Sequence, residues 1–184
     1  MLDGFRPGWP PGLLICAIRQ DDGRRVVFGR PGSPYALLSE AVAASCAIPS
    51  YFAPVPVGGR LHVDGGVHSP TNADVLTRAK LDVVIVVSPM SAAHGASRSA
   101  DAGMRWAMHR RLEREIRRLR AEGTTVVRFE PGPRTLAVMG LNAMAEDRSA
   151  AVVEAARHDA IAHATSARMA RRLLALVAPR SRAA

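Results

Sequence analysis

Short β-branched runs alternate along the chain with stretches of helical spacing. Leu13–Ile18, Arg25–Phe28, Val55–Val57, Arg60–Val63, Val83–Val87 and Thr124–Phe129 each predict a strand. Asp22-Gly23 and Gly58-Gly59 are turn signals that fold neighbouring runs into hairpins. The Val83–Val87 run shows no polar alternation, which predicts a fully buried parallel strand. Tyr35–Cys46 and Asn72–Ala79 predict short helices. Arg98–Ala121 predicts a long amphipathic helix whose apolar face is Met104, Met108, Leu112, Ile116 and Leu119. Pro131-Gly132-Pro133 closes the last strand, and residues 143–177 are helix-rich. Strands alternating with helices predict an α/β layered domain.

Composition narrows the class. Of 184 residues, 48% are hydrophobic and 22% charged, which is the balance of a globular chain. Aromatics are 4%, so Ala, Val, Leu, Ile and Met must build the core. The formal net charge is +9 and Lys80 is the only lysine. The arginines are spread along the chain among Asp and Glu, which reads as solvated helix faces, so no nucleic-acid partner is expected. Cys16 and Cys46 form no C-x-x-C pair and sit in apolar runs; two reduced, buried thiols are expected, with a disulfide between them left open. The N-terminus lacks a signal pattern and the longest apolar runs are too short for a bilayer. A soluble, cytoplasmic chain is expected, with peripheral membrane contact left open. The six histidines make no H-E-x-x-H pattern, and no metal or other cofactor is expected.

The segment with the most chemistry runs from Ala41 to Asn72. Ser45-Cys46-Ala47-Ile48-Pro49 is followed by Phe52-Ala53-Pro54-Val55, and then by His62-Val63-Asp64-Gly65-Gly66. This succession resembles the patatin-like phospholipases, in which S-x-A-x-P, F-x-P-V and D-G-G or D-G-A follow one another in this order and spacing. The resemblance covers most of residues 9–90 and implies a three-layer α/β/α domain, here N-terminally incomplete. Residues 1–178 would be the C-terminal part of that domain and residues 179–184 a disordered tail. It also implies a two-member serine–aspartate site in which Asp64 accepts the serine proton, with Gly65 and Gly66 completing the motif. An aspartate at a strand end suits that role, because ligands of open α/β sheets gather at the carboxyl ends of strands. His68 and Asn72 are candidate pocket residues, Asn72 by ordering the loop after Asp64 through backbone hydrogen bonds.

One part of the family pattern has no counterpart. The nucleophilic serine of G-x-S-x-G and the Gly-rich oxyanion loop precede the aspartate in the family, and neither precedes Asp64. Gly95-Ala96-Ser97-Arg98-Ser99 is the nearest approach; it lacks the second glycine, follows Asp64, and reads as a loop and helix cap. No nucleophile is therefore assigned. The chain alone is expected to be inactive, whether through a start codon set too late or a gene remnant. The resemblance implies a lipid or other acyl-ester substrate; another chain supplying the missing half is left open. A non-catalytic binding or regulatory protein on the same fold is the alternative.

Overall fold

The computed structural model describes residues 8–92, 102–140, 146–167, 169–171 and 174. His94, the Gly95–Ser99 segment, the start of the predicted long helix and residues 179–184 lie outside them. The chain divides into two compact units, one ending at Val75 and the other beginning at Leu76.

The first unit is a four-stranded antiparallel sheet with one helix. Its strands are β1 (Ile15–Arg19), β2 (Arg25–Phe28), β3 (Val55–Val57) and β4 (Arg60–Asp64), in the order β2-β1-β4-β3. Both predicted turns form. Gly58 and Gly59 take φ of 58° and 76°, the pair of left-handed conformations that a two-residue hairpin loop needs. Helix α1 (Leu38–Ser45) begins later than its apolar pattern, because the Glu40 carboxylate accepts from the Leu37 backbone N–H at 2.8 Å and caps the helix there. Its Ala41 and Ala44 are fully buried, and these small side chains bring the helix close to Ala17, Val26, Phe28 and Val57 of the sheet. The predicted helix over Asn72–Ala79 is only a 3-10 turn, Ala73–Leu76. Asn72 and Arg78 have φ of 49° and 68°, which no α-helix accommodates.

The second unit pairs β5 (Val83–Val87) with β6 (Thr125–Phe129) in parallel, joined through α2 (Ala102–Ala121). Only one face of β5 is packed. Val84 and Val86 are buried, whereas Ile85 and Val87 are 66% and 68% exposed, so the expected full burial does not hold. On α2, Leu112, Ile116 and Leu119 are buried as their spacing predicts, but Met104 is 48% exposed. Arg105 is buried instead, its guanidinium donating to the Pro89 carbonyl at 3.0 Å. Helix α3 (Pro133–Met139) was hidden by the Pro-Gly-Pro turn signal; Pro133 occupies its first turn, where a missing N–H costs nothing. Asp159 on α4 (Ser149–Ala164) accepts from the Thr135 backbone N–H at 2.9 Å and its hydroxyl at 2.7 Å. A side chain from one helix thus caps another.

Among the described residues no helix is long and apolar enough to cross a membrane. Neither cysteine is in a disulfide; Cys16 is half-buried and Cys46 exposed, which corrects the expectation of two buried thiols.

Candidate active site

Asp64 ends β4, directly opposite Ala17 in the middle of β1. Its backbone N–H donates to the carbonyl of Ala47 at 3.0 Å, so the S-x-A-x-P segment is tied physically to the tip of β4. The carboxylate caps the 3-10 turn Gly65–Val67, Oδ1 accepting from the Gly66 N–H at 2.5 Å. Among the described residues no protein group donates to Oδ2 and no serine hydroxyl reaches the carboxylate. The one buried side-chain polar atom left without a partner among them is His62 Nε2. The half-buried carboxylate is thus fixed at the strand end through one of its oxygens.

The two glycines do different work. A Cβ on Gly65 would lie 2.3 Å from the Cys16 carbonyl oxygen, so the turn packs on the backbone of β1 and only glycine fits. A Cβ on Gly66 would lie 2.8 Å from Asp64 Oδ1, the oxygen that the Gly66 N–H holds. Around Gly65 the chain closes on itself. Its carbonyl accepts from the backbone N–H groups of His68 and Ser69, at 3.1 and 3.2 Å, and from Asn72 Nδ2 at 3.1 Å. Asn72 Nδ2 also donates to the Ser69 carbonyl at 3.0 Å, and buried Ser69 Oγ accepts from the Asn72 N–H at 3.1 Å. Asn72 thereby orders the loop behind Asp64. His68 takes part through its backbone.

Two residues that sequence reasoning did not single out complete this scaffold. Arg25 of β2 reaches Asn72 Oδ1 at 3.1 Å and forms a two-armed ion pair with Asp74, at 2.6 and 2.8 Å. Both side chains of the pair are largely buried. Their separation of 49 residues left no local signal.

A family model of the patatin-like phospholipases matches residues 12–77. This stretch of the chain belongs to that family. No curated protein matches the chain. The patatin-like stretch contains all four strands of the first unit, α1, the D-G-G turn, Asn72 and Asp74, and so coincides with the scaffold that holds Asp64. It is a family of lipid acyl hydrolases.

The second unit, outside the matched stretch, has a buried polar cluster of its own. Glu130 follows β6, and its carboxylate accepts from Ser91 Oγ at 2.6 Å and from Arg128 Nε at 3.0 Å, and bonds His109 Nδ1 at 2.9 Å. Ser91 Oγ in turn accepts from the Ser88 hydroxyl at 2.8 Å, and both serines are fully buried. The carboxylate, not the histidine, stands in the middle of this network. That arrangement locks α2 to the ends of β5 and β6. Among the described residues no group of three or more His, Cys, Asp or Glu side chains could hold a metal ion.

Proposed function

We propose that Asp64 is the proton acceptor of an acyl-ester hydrolase whose nucleophilic serine comes from outside this 184-residue chain. The observation that supports this reading is the Asp64 carboxylate itself, fixed at a strand tip through Oδ1, with no protein donor to Oδ2 among the described residues. In the reaction, Oδ2 takes the hydroxyl proton as the serine oxygen attacks the carbonyl carbon of a lipid ester. Collapse of the tetrahedral oxyanion expels the alcohol, which leaves with that proton. Water, deprotonated by the same carboxylate, then attacks the acyl-serine, and the proton passes to the serine oxygen as the fatty acid is released. The serine–aspartate pair needs no cofactor, and Asn72, Gly65 and Gly66 act by positioning Asp64. The site works at a lipid surface in the cytoplasm.

Fluorophosphonate labelling tests the proposal. The chain alone should not label. Co-expression with the in-frame upstream segment, or with a patatin-like N-terminal half carrying G-x-S-x-G, should produce labelling and ester hydrolysis. Asp64→Asn should then cut hydrolysis by at least about a hundredfold. Hydrolysis that survives Asp64→Asn removes the proposal, and absence of labelling in every arrangement favours the binding or regulatory alternative.

A further inference from the structure

The outer edge of β2 carries a cavity that the acyl-ester chemistry does not use. The loop after the strand folds back on it, with Ser33 Oγ donating to the Val27 carbonyl at 2.5 Å and the Arg30 N–H to the same oxygen at 3.3 Å. Between loop and strand lies a space of about 270 Å³, lined entirely by residues 19–34. Four arginines line it, Arg19, Arg24, Arg25 and Arg30, together with Ser33.

The charges around it do not cancel. Arg19 is paired with Asp22, through Nε at 3.0 Å and a second, shorter contact, and Arg25 is paired with Asp74. Burial pushes the Asp22 carboxyl up, but the Arg24 backbone N–H and the Arg19 and Arg24 guanidiniums outweigh it and hold the group below its ordinary value. Asp22 is therefore ionised and neutralises one arginine. Among the described residues the Arg30 guanidinium is held by a neutral acceptor alone, the Val75 carbonyl at 2.6 Å. Arg24 is 81% exposed, with its Nε 3.9 Å from an Asp22 oxygen already engaged by Arg19. Among the described residues, two of the four positive charges thus lack a carboxylate of their own.

We propose that this cavity binds a phosphate monoester, held between the guanidinium groups of Arg24 and Arg30. Two planar forks and two net charges match a tetrahedral dianion better than a single carboxylate, and the space exceeds what one phosphate group fills. Asp64 is not among the lining residues, so this is a second site, and it stands whether or not the hydrolase reading does.

Binding measurements on the full chain test it with two probes, glycerol 3-phosphate by calorimetry and sedimentation with phosphatidylcholine vesicles, with and without phosphatidic acid. At least one probe should bind in a phosphate-dependent manner. The Arg24→Gln/Arg30→Gln double variant should weaken that binding at least about tenfold. An Arg114→Gln/Arg117→Gln variant, which removes the same charge from α2, should not. Binding of both probes assigns the site to phosphate esters generally, and binding of the vesicles alone assigns it to a lipid headgroup. The proposal is overturned if neither probe binds, if the cavity variant binds as the unaltered chain does, or if the α2 variant loses as much. Circular dichroism of both variants establishes that they are folded.

Discussion

Two side chains of the patatin-like segment are under opposite constraints. Gly65 has no room for even a methyl group, because the β1 backbone is in the way. Gly65→Ala should cost about 2–3 kcal/mol of stability, read as a shift in urea midpoint, since backbone on both sides has to move. His62 is the reverse case. It is 1% exposed, its Nδ1 bonds the Arg60 carbonyl at 3.0 Å, and its Nε2 has no partner. A buried polar atom left unpaired is a standing cost. His62→Leu should therefore leave the urea midpoint unchanged or raise stability by up to about 1 kcal/mol; a large loss would show that the ring does something its contacts do not reveal. The residues of the candidate site were legible to different depths. Asp64, Gly65 and Gly66 are contiguous, so their pattern carried them. Asn72 stood out by nearness alone, and Arg25 and Asp74 could not be seen because an ion pair across 49 residues leaves no periodicity.

At the scale of elements, propensity and pattern succeeded where the controlling interactions were local. β2 has the predicted bounds, and the Gly58-Gly59 hairpin forms where its residues require it. They failed where a distant group decided. α3 owes its start to Asp159, a residue of another helix, and no reading of Pro131–Pro133 alone could supply that cap. Asp159→Ala should lower stability by about 1–2 kcal/mol, measured by thermal or urea unfolding followed by helical circular dichroism. The pH dependence follows from the same contact. Burial pushes the Asp159 carboxyl up, but the hydrogen bonds from the Thr135 hydroxyl and N–H, with Arg134 nearby, bring it below its ordinary 3.8. A carboxylate whose folded-state value is depressed contributes stability that is present above the unfolded value. That stability is lost as pH falls through the folded one. The contribution should thus be complete above pH 3.8 and disappear only in more acid solution, with Asp159→Asn abolishing this part of the acid response.

At the scale of the whole molecule, a positively charged surface coexists with exposed apolar strand faces. The net charge of +9 favours solubility through repulsion. Ile85 and Val87 oppose it, standing side by side on one face of a two-stranded parallel sheet, an arrangement that is ordinarily covered on both faces. Ile85→Thr/Val87→Thr should reduce light scattering by concentrated protein without lowering the unfolding midpoint by more than about 1 kcal/mol, because both side chains already face solvent. The run Val83–Val87 read as buried because its composition is that of an interior strand. That much was legible, but which face is covered depends on what packs there, and composition does not carry this information.

The Arg25–Asp74 pair also sets how short a working piece of this protein can be. The motif that marks the site ends at Gly66, yet the turn it forms is latched from eight residues further on. A polypeptide cut just after the double glycine would keep every signature residue and lose the clasp, leaving the aspartate on a loose end. The smallest excised piece able to hold its carboxylate in position has to run through Asp74.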